Sequence, residues 1–232
     1  MKLHIVLLLL ITISGPLNAQ IASWDFNATN GASVAATSYS PQLLAPPTLT
    51  VGPGLLFTEY NSTTWDIYDG HIDTTLESSI LNNSYLSLNL SPMPSMPLSV
   101  SSISIQISRL LSFASMNISL FSSIDGFTSG AQIGPTYSIT SSSPTTPQNI
   151  TFDTVATHSG LTSNVAFRFY LTGTYSNAIL LGSTVDPSIK GVIVNGTVVP
   201  EVATVRLFLV ITLGLVAFAF IKRKKCRTDQ ST

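Results

Sequence analysis

Asp66, Asp69, His71, Asp73 and Glu77 form the densest group of acidic and imidazole side chains in the chain. Carboxylates spaced like this are the hard oxygen ligands that Ca2+ takes. The run lacks the regular ligand pattern and second Gly turn of a calcium loop, so it reads more simply as a solvated acidic loop. No metal ligand and no resident cofactor is assigned, with Ca2+ the one ion the sequence leaves open. Aromatic residues gather nearby at Tyr60, Trp65, Tyr68 and Tyr85, with Trp24 upstream. Tyr and Trp pair an apolar ring with a polar handle, which suits stacking on sugars. Trp24 lies in the alternating stretch Ile21–Phe26 and reads as core. Trp65 and Tyr68, in a polar, turn-rich context, are the candidate glycan contacts.

Nothing in the sequence points to a reaction. There is no G-x-S-x-G elbow, no phosphate-binding Gly loop and no H-E-x-x-H. Between Gln20 and Val199 the only histidines are His71 and His158. Serine is so abundant that a Ser/His/Asp triad has candidates everywhere and therefore no signal. No catalytic residue is assigned and the expectation is a protein that is not an enzyme. A glycan-degrading enzyme stays as an alternative. It would need two carboxylates roughly 5 to 10 Å apart in one cleft.

The chain has 232 residues, of which 44% are apolar and only 9% charged, while Ser and Thr together number 60. A typical soluble domain is about 25% charged. That excludes a coiled coil, a charge-driven disordered protein and an ordinary helix-rich enzyme. The net charge of −1 hides a segregation. From Gln20 to Glu201 the only basic residues are Arg109, Arg168 and Lys190, against ten acids. A region this acidic has no footprint for a phosphate backbone, so no nucleic-acid partner is expected.

Both ends read as targeting segments. Residues 1–19 have the parts of a signal peptide: Lys2, an apolar run from Leu3 to Ile13, a Ser14-Gly15-Pro16 breaker and a small residue, Ala19. Signal peptidase is the implied partner, cutting between Ala19 and Gln20. The second apolar run, Val202–Ile221, is just long enough to cross a bilayer, with its helix at about 203–221. Lys222, Arg223, Lys224 and Lys225 follow at once. Positive charge stays on the cytoplasmic side, so residues 226–232 form a cytoplasmic tail and residues 20–198 an exported domain. Cys226, the single cysteine, lies in that tail, so the exported domain uses no disulfides.

The exported domain alternates with the period of strands. Leu86, Leu88 and Leu90 share a face, as do Ile103, Ile105 and Ile107, and Met116, Ile118 and Leu120. Val165, Phe167, Phe169 and Leu171 would face a core, with Ala166, Arg168 and Tyr170 on a wetter surface. Ile150 and Phe152 flank Thr151, and Ile189–Val194 gives a late strand. Gly/Pro punctuation separates these runs, and only Ile72–Leu81 has room for a helical turn or two. The expected fold class is all-β, a β-sandwich with jelly roll as leading topology.

The tail GTVVPEVATVRLFLVITLGLVAFAFIKRKK resembles the PEP-CTERM sorting signal of bacterial exported proteins. Pro200 and Glu201 hold the motif position, Leu207–Ile221 the helix, and Lys222–Lys225 the basic stop. Val202 stands where the motif has its second Pro, and seven residues follow Lys225. Phe167-Arg168-Phe169-Tyr170, Val185-Asp186 and Val192–Gly196 are similar to the closing strands of jelly-roll domains that precede this signal. Trp24-Asp25-Phe26 and Ser123-Ile124-Asp125-Gly126-Phe127 fit the same exported family of planctomycete- and verrucomicrobia-like bacteria. The resemblance implies export to the cell envelope, association with extracellular polysaccharide and an exosortase-type protease acting on the tail. It implies no reaction. The expectation is a non-enzymatic surface protein in the envelope, anchored or released to the matrix. Seven Asn-x-Ser/Thr sequons keep a second alternative open, a eukaryote-like single-pass surface glycoprotein.

Overall fold

The computed structural model describes residues 19–26, 32–57, 65–68, 73–109, 115–143, 145–154, 158–174, 178–182 and 190–198. The expected signal peptide (bar Ala19), the Pro200-Glu201 step, the apolar run, the basic stop and the tail lie outside the described residues. Among the described residues no helix is long and apolar enough to cross a membrane.

The strands, in chain order, are β1 (Ala19–Trp24), β2 (Ser33–Ala35), β3 (Ser38–Tyr39), β4 (Thr48–Val51), β5 (Leu56–Phe57), β6 (Trp65–Tyr68), β7 (Tyr85–Leu90), β8 (Leu98–Arg109), β9 (Met116–Ser122), β10 (Ile133–Ser138), β11 (Gln148–Asp153), β12 (Val165–Gly173), β13 (Ala178–Leu181) and β14 (Val192–Val198). They form two antiparallel sheets. The first runs β3-β1-β14-β8-β13-β6-β5, with β11 also pairing β8, and the second runs β10-β9-β12-β7-β4-β2. The fold is therefore all-β. From β7 onward the chain crosses between the sheets repeatedly, β7 in the second, β8 in the first, β9 in the second.

Strand β8 organises the first sheet. Its Ile105 pairs with Val192 of β14 and Ile150 of β11, and its Ile107 with Leu181 of β13 and Gln148 of β11. A residue has two edges, so β13 and β14 follow one another along one edge while β11 occupies the other. The alternation read from the sequence faces as expected. Ile103, Ile105 and Ile107 are buried against Leu86, Leu88, Leu90, Ile118, Leu120, Phe167 and Phe169 of the second sheet in one core. Ile189–Val194 begins later than read, as a strand over Val192–Val198.

Side chains close the two seams between the sheets. At one seam Gln148 of β11 accepts from Thr140 N (2.7 Å) and Thr140 Oγ1 (2.9 Å) and donates to Ser138 O of β10 (3.1 Å). At the other, Trp24 Nε1 donates to Val34 O of β2 (3.1 Å), and the ring is fully buried. Trp24 is core, as read, although burial along β1 does not alternate and Ile21 to Trp24 are all buried. Beside it Asp25 accepts from Thr37 Oγ1 (2.5 Å) and pairs with Lys190 Nζ (3.3 Å).

One short helix forms where the sequence left room for it. Helix α1 (Leu76–Asn82) starts at Thr75, whose hydroxyl accepts from Ser78 N while Ser78 Oγ accepts from Thr75 N, a capping box. It ends at Asn83 in the left-handed conformation, φ 59°. Ser79 anchors it to the second sheet by donating to Leu171 O (2.9 Å) and Ser84 O (3.0 Å).

Candidate functional site on the outer face of the second sheet

The residues singled out for chemistry fall in three places. Pro200, Glu201, Lys222, Arg223, Lys224, Lys225, Tyr60, Asp69 and His71 lie outside the described residues. Trp65 and Tyr68 begin and end β6, paired with Leu181 and Ala178 of β13. Asp73 is 4% exposed, and its carboxylate accepts from Asn82 Nδ2 and Ser84 Oγ, each at 2.6 Å. Both oxygens thus serve to pin the segment before α1. Among the described residues no three His, Cys, Asp or Glu side chains group as metal ligands.

A different cluster emerges on the second sheet. Its core face takes Leu49, Leu88 and Phe169, so the positions between them face outward. Register then sets Ser33 of β2 beside Thr50 of β4, Thr50 beside Ser87 of β7, Ser87 beside Arg168 of β12, and Arg168 beside Phe121 of β9. The result is a row across five strands: three hydroxyls, a guanidinium and an aromatic ring. Ser33 Oγ and Thr50 Oγ1 are hydrogen-bonded at 3.1 Å. The next row places Tyr85, Tyr170 and Ser119 side by side.

Arg168 is clamped between two rings. Its Cζ lies 4.0 Å from the centroid of Tyr85 and 3.9 Å from that of Phe127. Each such contact contributes about 0.5–2 kcal/mol, more as water is excluded. Tyr170 stacks edge-on against Tyr85 (5.6 Å) and Phe121 (5.4 Å). Those rings bury Tyr170 to 1% exposure and Phe121 completely. The reading of Tyr170 as a wetter-surface residue is thereby corrected: alternation places it on the outer face, but neighbouring aromatics cover it there. Arg168, Tyr85 and Phe127 stay half-buried at the rim of this patch.

The connection after β9 delivers the second ring. A 3-10 turn, Ser123–Asp125, is followed by Gly126 at φ 68° and Phe127 at φ 57°. Gly126 accepts that left-handed geometry without penalty. For an aromatic residue it costs on the order of 1–2 kcal/mol. Such strain concentrates where a side chain must be held in a particular place. Here it holds the Phe127 ring over Arg168. The turn is tied down by Ala166 N donating to Ser123 Oγ (3.0 Å).

The electrostatics of the clamp are unusual for an acid-rich domain. Among the described residues no carboxylate pairs with Arg168. Its Nε is buried without a hydrogen bond, and Nη1 makes one long contact, 3.4 Å to Tyr170 Oη. Lys190, by contrast, has Asp25. For Asp25, burial raises the carboxyl pKa, but the Thr37 bond and the Lys190 bond and charge outweigh it and leave it below the usual value. Arg168 thus presents a planar donor fork that no described carboxylate neutralises, stacked on the Tyr85 and Phe127 rings. It can hydrogen-bond an incoming carboxylate or hydroxyl, and the adjoining hydroxyl row can donate or accept.

Sequence reasoning saw parts of this site without joining them. Tyr85 stands among the aromatic candidates, Phe127 ends the Ser123–Phe127 run, and Arg168 is one of three basic residues, an outward alternate of its strand and part of the Phe167–Tyr170 run. The available signal was that Arg168 is one of just three basic residues in an acid-rich region, inside a strand otherwise built of Phe, Tyr and Leu. No protein-family model matches the chain, and no curated protein does.

Solved structures similar to this chain include a carbohydrate-binding module specific for non-crystalline cellulose, CBM28, at 12% identity and TM-score 0.35, covering 68% of this chain and 88% of that one. A xylan-binding module, CBM15, is 12% identical at TM-score 0.33, covering 79% and 97%. TmCBM61, solved with β-1,4-galactotriose, is 8% identical at TM-score 0.31, covering 66% and 90%. At TM-scores this low the likeness carries no inference about ligand or reaction.

Proposed function

We propose that this chain is a non-enzymatic, exported surface protein whose β-sandwich, of jelly-roll type, binds glycan through the outer face of the second sheet. The carrying observation is the row Ser33-Thr50-Ser87-Arg168 ending under the Tyr85 and Phe127 rings. Aromatic faces for sugar rings beside fixed polar groups for hydroxyls are what carbohydrate recognition needs. Trp65 and Tyr68, on β6 of the first sheet, are kept as further glycan contacts in this reading.

The targeting half of the proposal comes from the sequence: residues 1–19 as signal peptide, Pro200-Glu201 as sorting step, the helix at about 203–221 and the basic stop Lys222–Lys225. It places the domain outside the membrane, either anchored or freed by an exosortase-type protease. The test is affinity electrophoresis of the full chain in mild detergent, through gels containing soluble neutral or acidic polysaccharides. Retardation without release of reducing ends is expected. Unretarded migration in every gel would end the glycan reading, and release of reducing ends would replace it with the glycan-degrading enzyme.

A further inference from the structure

We infer that the Arg168 clamp selects an acidic polysaccharide, taking the carboxylate of a uronic-acid residue. This rests on the glycan reading above and names the ligand class of the same site. Neutral sugars need only hydroxyl-matched donors and acceptors, which Ser, Thr and Asn supply amply on this face. A guanidinium adds a planar fork of donors whose best partner is a carboxylate held bidentately. Of the acids whose side chains the structure describes, Asp25, Asp73, Glu77, Asp125 and Asp153, none pairs with Arg168. Its guanidinium instead lies against the rings of both Tyr85 and Phe127, and Phe127 adopts a left-handed backbone conformation there.

The exposed part of Arg168 is side chain, because its backbone is paired on both edges, with Ser87 and with Phe121. Nε is buried beneath the rings, so a ligand meets the guanidinium at its terminal nitrogens. Those nitrogens carry four N–H donors, of which one makes the long contact to Tyr170.

The hydroxyl row sets the direction. Neighbouring strands lie about 4.8 Å apart, similar to the length of one sugar residue. A chain lying across β12, β7, β4 and β2 would place one uronate carboxylate at Arg168 and successive residues over Ser87, Thr50 and Ser33. The excess of acids gives no long-range attraction to a polyanion, and beyond about 8 Å that field is screened at physiological salt. Affinity for the acidic chain must then come from the clamp itself.

The experiment compares full-chain wild type with Arg168→Gln and Arg168→Lys, in affinity electrophoresis at physiological salt. The probes are polygalacturonate, its methyl ester and a neutral galactan. Circular dichroism and thermal melting verify that each variant is folded. The expected result is wild-type binding at least tenfold tighter to polygalacturonate than to its methyl ester. Arg168→Gln should lose at least tenfold on the acid and little on the neutral polymers. Arg168→Lys, which keeps charge but not the fork, should fall between. If Arg168→Gln does not fold, Phe127→Leu serves in its place and should weaken binding to polygalacturonate by a larger factor than binding to the neutral galactan, since it removes both a sugar-stacking ring and the support of Arg168. Equal affinity for acid and ester, or binding that Arg168→Gln leaves unchanged, overturns the inference while the glycan reading stands. Absence of binding to all three polymers overturns both.

Discussion

Asp73 offers a stability test whose size follows from its contacts. Its carboxylate accepts from Ser84 Oγ and Asn82 Nδ2 at 2.6 Å, and its carbonyl accepts from Gly173 N at 3.0 Å. The side chain therefore ties the segment before α1 to the end of α1 and to Ser84 ahead of β7, while the backbone carbonyl makes the bond to β12 of the second sheet. In Asp73→Ala both side-chain bonds are lost. Asn82 is exposed and rehydrates, so its share is small. Ser84 is 1% exposed, and its hydroxyl would stay buried without its acceptor. A hydrogen bond to a charged group contributes about 1.5–3 kcal/mol. With a smaller share for Asn82, the loss comes to about 2–4 kcal/mol. For a domain of this size, 1 kcal/mol moves the melting temperature by about 2–4 °C, so a fall of roughly 5–15 °C is expected by differential scanning calorimetry. Asp73→Asn keeps one acceptor oxygen and should lose about half as much. The double mutant with Ser84→Ala should fall short of the sum of the singles by about 1 kcal/mol or more, because they share one bond. A fall below about 2 °C, or simple additivity, refutes the pinning role. So does a Ca2+-dependent rise in melting temperature that Asp73→Ala abolishes, since it would return the carboxylate to metal binding.

Three further outcomes follow from the same structure. Gly196→Ala should prevent stable folding or cost several kcal/mol, because its Cβ would lie 1.9 Å from Ser99 O and 2.6 Å from Ile21 Cδ1 at the bulge where β14 meets β8; soluble yield and melting temperature report it. Lys190→Met should cost under about 1 kcal/mol near neutral pH and flatten the acid limb of the stability curve. Asp25 has a depressed pKa, so its contribution is complete above about pH 4 and is lost as pH falls through the folded value. At the tail, protease added to intact cells or spheroplasts should digest residues 20–198 and spare an epitope placed after Lys225; a digested epitope would reverse the proposed orientation.

Much of the sandwich was legible because strands such as β7, β11 and most of β8 bury one face and leave the other wetter, whereas β1 and β9 are buried on both faces. Period-two runs such as Ile103-Ile105-Ile107 and Phe167-Phe169-Leu171 identify both the strand and its core face without knowledge of partners. What alternation cannot give is register between distant strands, since Ser33, Thr50, Ser87 and Arg168 are brought together only by pairing. The clamp was hidden for that reason. Tyr85 and Arg168 are 83 positions apart, and Phe127 reaches them from a connecting turn through a left-handed backbone that its side chain disfavours. Tyr170 shows the complementary failure. Its outward position was read correctly, but its burial depends on Phe121 and Tyr85 from other strands. Asp73 looked like one acid among several, and only the fold shows its oxygens occupied by Asn82 and Ser84.

The most direct test of glycan binding at this face is hydroxyl-radical footprinting of the full chain, with and without a saturating acidic oligosaccharide. Tyr85 and Phe127 are half-buried reporters at the clamp, while Tyr39 of β3, 43% exposed in the first sheet, is the internal control. Oxidation of Tyr85 and Phe127 should fall at least threefold on binding while Tyr39 stays constant. Protection of Tyr39 without protection of Tyr85 and Phe127 would place the ligand on another face and contradict the account.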